Sequence, residues 1–203
     1  NNSGLEQNLL NLKIKHKLNP SSKIQFQMNF TDSPRAEDAG GITLEDSEED
    51  RSQARQRNLD YDTYESVNHF KIGLNWDKSL TDKVILSTYG FYSFRDFYGK
   101  LPFENGGIID LKRNYFGLGS RLNYKIGKNN LQVAAELLDQ SDQRDRYLNI
   151  LGSQGSISFS QKEKFQNLSF SILDELKLEE LFFRLSLRYD DMHLGTDGFS
   201  QDQ

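Results

Sequence analysis

The 203-residue chain contains no cysteine, so a disulfide framework, a thiolate metal site and a cysteine nucleophile are all excluded. Its three prolines leave long stretches free to pair as strands, because each proline removes one backbone donor. No stretch approaches the roughly 18 consecutive apolar residues that a transmembrane helix requires. Only 35% of the residues are hydrophobic, yet a strand that crosses a bilayer needs an apolar residue only at every second position. The absences therefore exclude membrane helices but not membrane strands.

Charge and aromatic content narrow the class further. The 30 acidic and 25 basic residues give a net charge of −5 and a pI near 5.3, which argues against nucleic acid as a partner, because phosphate binding needs a clustered basic face. Aromatic residues make up 12% of the chain, too many for a disordered segment. The first residues, NNSGLEQNLLNL, do not have the pattern of a secretion signal.

Hydrophobic residues alternate with polar ones in segment after segment, which predicts strands with one apolar face. Leu10, Leu12 and Ile14, for example, alternate with Asn11 and Lys13. Short polar turns join the segments in pairs and predict four hairpins. The alternating segments cover residues 10–18, 24–30, 70–76, 84–94, 116–126, 131–137, 168–172 and 181–189. The segment from Val84 to Phe94 is irregular, because Ile85, Tyr89 and Phe91 occupy its polar face.

The connections alternate between short turns and long polar segments predicted over 32–62, 95–110 and 141–161. Strands of ten residues or more, with short turns at one end and long loops at the other, are typical of an outer-membrane barrel. The sequence thus predicts an all-β fold of about eight antiparallel, up-and-down transmembrane strands with short periplasmic turns and long extracellular loops. A soluble β-sandwich or lipocalin-like barrel gives the same alternation with the apolar face turned inward.

Several segments carry a resemblance to a known family. They are NFTDSPRAEDAGGITLEDSEEDRSQARQRN, FRDFYGKLPFENGGIIDLKRNYFGLG, AAELLDQSDQRDRYLNILGSQG, LSFSILDELKL and LFFRLSLRYDDMHL. In this order they resemble the barrel of TonB-dependent outer-membrane receptors, in particular iron-complex (siderophore) transporters of the ferric citrate type. The sequence departs from the family pattern at Ala39, where proline is expected, and at Leu173, where glutamine is expected.

The resemblance implies that residues 1–203 are part of a receptor barrel of about 22 strands. A plug domain and a TonB box, which this chain does not contain, would complete the receptor. It further implies the cell outer membrane of a Gram-negative bacterium as the location, with membrane lipid, lipopolysaccharide and the TonB complex as partners. The lumen lysines Lys13, Lys15 and Lys17 are then expected to face plug carboxylates.

The function that this resemblance implies is capture of an iron chelate by extracellular loops, followed by import with TonB-coupled energy. No cofactor or resident metal is expected, and the chain is not expected to be an enzyme, because His16, His69 and His193 lie on separate strands without partner spacing. A passive porin or small structural barrel is the alternative. Guanidinium groups bind carboxylates in pairs of hydrogen bonds and tyrosines add stacking surface. The expected ligand-binding residues are Arg51, Arg55, Arg57, Tyr61, Arg95, Tyr98, Arg113, Arg144, Arg146 and Tyr147.

Overall fold

The structure, a computed structural model, describes residues 2–200. It consists of eight strands and two short helices. The ends of the barrel domain predicted over 1–203, Asn1 and residues 201–203, lie outside the described residues. The elements are β1 Leu5–Asn19, β2 Ser22–Glu37, α1 Leu44–Glu49, α2 Gln56–Asp60, β3 Tyr64–Ser79, β4 Val84–Lys100, β5 Ile108–Ile126, β6 Asn129–Ile150, β7 Ser153–Leu178 and β8 Leu181–Ser200.

All eight strands belong to one antiparallel sheet whose spatial order is the order of the sequence. The predicted all-β, up-and-down fold is confirmed. Strands β1 and β8 each pair only with their inner neighbour, so within residues 2–200 the sheet stays open. The described strands therefore do not close on themselves as a small eight-stranded barrel.

One face of the sheet carries the apolar residues of the alternating segments. The register aligns Leu12, Met28, Ile72, Tyr92 and Phe116 in a single row across five strands. These residues project to the outside, and Leu118 keeps 47% of its surface exposed. We call the outward face convex. The strand segments that carry its apolar residues are together called the apolar belt, which comprises residues 10–18, 24–30, 70–76, 84–94, 116–126, 131–137, 168–176 and 183–189.

The opposite face is concave and mostly polar. It curls around a cavity of about 550 Å³ lined by residues of β3 through β8, and it carries Lys13, Lys15 and Lys17 of β1. The hydrogen bond that Tyr89 of β4 donates to Glu136 of β6 skips β5, where Gly119 is the register partner of both residues.

Glycines of β5 explain the irregular alternation of β4. The rings of Phe91 and Tyr89 lie on the concave face over Gly117 and Gly119, their register partners. A Cβ atom added at Gly119 would lie 2.5 Å from Cε1 of Tyr89. Large aromatic rings thus occupy the polar face because the neighbouring strand leaves space for them.

The strands continue well past the apolar belt. We call residues 31–37, 64–69, 95–100, 108–115, 138–150, 153–167 and 190–200 the strand extensions. Strand β7 has 26 residues and, at about 3.3 Å per residue, is about 85 Å long. Its 26 residues are well over the roughly 10 residues that a tilted strand needs to cross a bilayer.

The strand extensions show that two of the three predicted long loops are wrong. Residues 95–110 and 141–161 are mostly strand: only 101–107 connects β4 to β5, and only Leu151 and Gly152 connect β6 to β7. Polar and apolar residues are mixed on both faces of these hairpins, so they lack the alternation from which strands are recognised. The remaining long loop holds α1 and α2, of six and five residues. Within residues 2–200, no helix is long and apolar enough to cross a membrane.

A proline is accommodated by an irregular pairing. The Asp32-Ser33-Pro34 segment lies in β2, where the registers with both neighbouring strands shift. Proline cannot donate a ladder hydrogen bond and is tolerated inside a sheet at such bulges.

Candidate ligand-binding rim

Three connections lie at the end of the sheet that carries the strand extensions: residues 38–63, 101–107 and 151–152. We call them together the rim. The opposite end has only short turns, at 20–21, 80–83, 127–128 and 179–180. The rim and the extensions beneath it carry all ten residues that the sequence analysis selected.

Buried side chains fix the base of the 38–63 connection. Thr63 is fully buried, and its hydroxyl donates to the carbonyl oxygen of Asp38 over 2.7 Å. The amide of Asn2 donates to the same carbonyl and to that of Thr63, at 2.9 and 3.1 Å. Asn58, also buried, donates to the Asp38 carboxylate. The two ends of the connection are thereby held together.

The exposed part of this connection presents three of the selected arginines. A capping box starts α1, in which the Thr43 hydroxyl accepts from the backbone N–H of Asp46. Arg51 follows that helix, Arg55 caps α2 and Arg57 lies within it, all three exposed. The guanidinium of Arg57 lies 5.8 Å from the ring centre of Tyr61. Within the described residues, no carboxylate pairs with any of these arginines.

Four further arginines lie on the concave face of the extensions. Arg95 of β4 and Arg113 of β5 are register partners. Arg113 binds Asp142 of β6 through Nε and Nη2, and the side chain of Asp142 has no exposed surface. These hydrogen bonds hold the pKa of Arg113 above its ordinary value, against the opposite effect of burial. Arg113 is thus already paired with Asp142, and this ion pair stabilises the fold.

Arg144 and Arg146 of β6 line a groove of about 420 Å³, together with Phe159 of β7. Glu163, on the wall of the groove, lies 2.9 Å from Nε of Arg144. Arg146 forms no ion pair with any described residue. The groove therefore offers one uncompensated guanidinium beside an aromatic ring.

Two selected tyrosines lie on the other side of the sheet. The phase of the register puts Tyr98 and Tyr147 on the convex face. The ring of Tyr98 is 6.0 Å from that of Tyr64, and burial raises the pKa of both Tyr98 and Tyr147. The ten selected residues accordingly fall into three sets: the 38–63 connection, the concave groove region and the convex face.

Sequence reasoning missed the residues that join the three connections. Asn149 is fully buried, and its side-chain amide donates to the carbonyl oxygens of Tyr61 and Leu101 at 3.2 and 3.0 Å. Its side-chain oxygen accepts from the N–H of Gly152 at 2.8 Å. The sequence predicts a loop at Asn149, whereas the structure places it at the end of β6, three residues before the tight turn at Gly152, whose φ is 86°.

An ion-pair network lies beside Asn149. The carboxylate of Asp62 accepts from Arg35 at 2.7 Å and from Lys100 at 2.8 Å. Lys100 also donates to the carbonyl of Gly152. Burial acts to raise the pKa of Asp62, but the hydrogen bonds from Lys100 and Arg35 outweigh it and leave the pKa lowered. We call Asn149, Asp62, Lys100 and Gly152 the Asn149 cluster.

Neither metal ligands nor paired histidines come together in the part of the chain that the structure describes. Residues 2–200 contain no group of three or more His, Asp or Glu side chains arranged to hold a metal ion. His16, His69 and His193 lie in β1, β3 and β8, and Nε2 of His69 is 2.9 Å from the Ser93 hydroxyl.

No protein-family model matches the sequence. Among solved structures, the chain is similar to the crystal structure of the ferric citrate transporter FecA in its unliganded form, with a TM-score of 0.81. The fold is that of an outer-membrane β-barrel. The match covers 97% of this chain at 18% sequence identity. The chain spans 31% of the length of the transporter chain, and eight consecutive up-and-down strands are what a segment of such a barrel contains.

Proposed function

We propose that these strands are part of a TonB-dependent outer-membrane receptor that imports an iron chelate of the ferric citrate or siderophore type. The observation that carries the proposal is the match of 97% of the chain to the barrel of a ferric citrate transporter. TonB-coupled energy, a plug domain and a TonB box are parts of the proposal that residues outside this chain would supply. The protein acts by binding and transport, without catalysis.

The apolar belt supports a membrane location. Its convex apolar side chains project outward and remain solvent-exposed in the isolated sheet, as shown by Leu118, Leu187 and Phe170. Surface of this kind is stable when lipid covers it. We propose that the belt contacts the lipid of the outer membrane, that the short turns face the periplasm and that the rim faces outside with the surrounding lipopolysaccharide.

The open edges support a barrel larger than the described sheet. The outer edges of β1 and β8 have unpaired backbone groups, and unpaired groups in the hydrocarbon region are strongly unfavourable. Further strands on both sides would satisfy them. A wide barrel also leaves a lumen for a plug, whereas eight strands enclose only their own side chains.

The rim supports an anionic ligand. Arg51, Arg55, Arg57 and Arg146 have no carboxylate partner among residues 2–200, and they project from the outer end of the sheet. Guanidinium groups without internal partners are available to bind the carboxylates of a chelate. Arg113 and Arg144 are bound to Asp142 and Glu163, so we expect them to position the surface more than to contact ligand.

A transport experiment tests the proposal. The intact gene would be deleted and uptake of radiolabelled ferric citrate measured in cells limited for iron, with and without a protonophore. We expect uptake to fall on deletion, to return with the intact gene, and to require the energised state. Uptake that survives deletion would contradict the proposal.

Conductance distinguishes the receptor from a passive porin. A plugged receptor in a planar bilayer should show little steady ion conductance, whereas an open porin conducts without an energy source. Stable open channels formed by the intact protein would favour the porin and overturn the receptor.

A further inference from the structure

The side chain of a single residue, Asn149, is hydrogen-bonded to all three rim connections. Asn149 donates to the carbonyl of Tyr61 in the 38–63 connection and to that of Leu101 in the 101–107 connection, and it accepts from Gly152 in the 151–152 connection. Its backbone N–H donates to the carbonyl of Glu104 over 2.8 Å. The bonded residues are 88, 48 and 3 positions away along the chain. One fully buried residue thus holds together segments that are distant in sequence.

The chemistry at this position selects asparagine. Two carbonyl oxygens need a donor and one N–H group needs an acceptor, and a single carboxamide supplies both. Aspartate would keep the acceptor for Gly152 but would place a carboxylate oxygen against two carbonyl oxygens. Alanine would leave all three groups without their partner in a buried place, where an unmade hydrogen bond is costly.

The connections joined in this way carry the unpaired arginines. Tyr61 follows α2 directly and contacts Arg57, while Asn149 lies three residues beyond Arg146 on β6. Lys100 adds a parallel link, since it binds both Asp62 and the carbonyl of Gly152. A displacement of the 38–63 connection relative to β6 would break the bond between Asn149 and Tyr61.

We propose that Asn149 is a positioning residue that holds the arginines of the 38–63 connection and Arg146 of β6 in one ligand-binding surface. The inference rests on the proposed function for the identity of the ligand, but the coupling of the three connections does not depend on it. Without the carboxamide, the arginines of the 38–63 connection and Arg146 are still present, but the distance between them is no longer fixed. A multidentate anion then binds them less tightly.

Hydrogen exchange of the intact protein in detergent tests the coupling. In Asn149→Ala we expect amide exchange to speed up at least about tenfold in 38–63, 101–107 and 151–152 together, with strand β5 of the apolar belt unchanged. In Asn149→Asp we expect faster exchange around Tyr61 and Leu101, while the N–H of Gly152 keeps its protection. This split would not arise from a general loss of stability.

Gln56→Ala is the matched control, because Gln56 is an exposed amide of the same connection whose side chain, within residues 2–200, bonds only to Asp60 in its own helix. Its exchange pattern should equal that of the wild type outside α2. Faster exchange confined to 151–152 in Asn149→Ala, or identical patterns in the alanine and aspartate variants, would overturn the coupling.

Binding of ferric citrate to the same proteins tests the consequence. We expect the dissociation constant to rise about tenfold or more in both Asn149 variants and to stay unchanged in Gln56→Ala. If the three connections loosen together but affinity is unchanged, the positioning role is wrong. If the wild type does not bind ferric citrate, the proposed ligand fails, and the exchange pattern alone decides the coupling.

Discussion

The apolar belt covers all eight strands and the strand extensions continue seven of them, β2 to β8, but different interactions stabilise the two regions. The belt has one apolar and one polar face, and its convex side chains such as Leu118 are about half exposed until something apolar covers them. The extensions mix polar and apolar residues on both faces and depend on specific polar pairs, of which Arg113 and Asp142 are the most buried. Burial by lipid is therefore the expected source of stability in the belt, and paired polar groups are the source in the extensions.

This difference has a consequence for how the rim is held. In the strand extensions the backbone ladders between neighbouring strands run to the last strand residues, but the connections of the rim lie beyond those ladders. Ion pairs and the Asn149 cluster add to the ladders and reach the connections. The positions of the connections therefore depend on a few side chains, each of which can be tested by mutation.

The largest expected effect comes from removing Arg113. In Arg113→Ala the carboxylate of Asp142 stays buried without a counter-charge, and breaking such pairs costs about 3–5 kcal/mol. We expect a loss of this order, localised to the extensions of β5 and β6 in hydrogen exchange. Arg121→Ala, an exposed concave arginine of β5 within the belt, serves as the control. Equal losses in the two variants would contradict the assignment of Arg113 to the fold.

The second-largest difference between the belt and the extensions is expected from a charge placed on the convex face. We expect Leu118→Arg to lower the stability in lipid by about 2–4 kcal/mol, because its side chain would enter the hydrocarbon region. Asn114→Arg lies four residues away on the same face of β5, in the extension; it loses the hydrogen bond from the Tyr92 hydroxyl, and we expect a smaller loss of about 1 kcal/mol. The measurement is equilibrium refolding into lipid vesicles. If both variants behave alike, the boundary between belt and extension is misplaced.

An intermediate effect is expected at the glycines under the aromatic rings. A methyl group at Gly119 would meet the ring of Tyr89, and overpacking of this kind costs about 1–3 kcal/mol. Gly195→Ala in the extension of β8 has open space around the added carbon and should be neutral. Thermal unfolding of the two variants checks this, and a neutral Gly119→Ala would show that Tyr89 moves freely away.

The smallest expected effect is the pH dependence of the 38–63 connection. The folded pKa of Asp62 is lowered, so its contribution is complete above the unfolded value of about 3.9 and is lost as the pH falls through the folded pKa. Because Asp62 is partly exposed, we expect less than about 1 kcal/mol. Hydrogen exchange of this connection, compared between pH 6 and strongly acidic pH, should show the loss, and Asp62→Asn should show a smaller one.

The belt could be predicted from the sequence, and the extensions largely could not. Alternation between Leu10 and Leu18 marks a strand because one side is apolar, and the pairing followed from the short turns. Residues 141–150 carry Asp142, Arg144 and Arg146 on one face and equally polar residues on the other, so no alternation shows that they form a strand. The strand is visible only once its partners in β5 and β7 are known.

The candidate site was predicted residue by residue but not as an arrangement. Spacing along the chain placed Arg95, Arg113 and Arg144 near the rim, yet it could not show that Arg113 is bound to Asp142 or that Tyr98 and Tyr147 lie on the convex face. Asn149 is a lone asparagine, and no spacing pattern in the sequence marks it. Its importance comes from bonds to residues up to 88 positions away, which no local pattern contains.

Single-cysteine labelling along β5 tests the central claim most directly. These 203 residues contain no native cysteine that would add background labelling. Cysteines would be placed one at a time from position 110 to 124 in the intact protein in membranes. We expect alternating labelling between 116 and 124, with the even, convex positions shielded from an aqueous maleimide by lipid, and labelling on both faces between 110 and 114. Labelling on both faces along the whole strand would contradict a lipid-covered belt, and shielding on alternate positions up to 110 would contradict a polar extension outside the membrane.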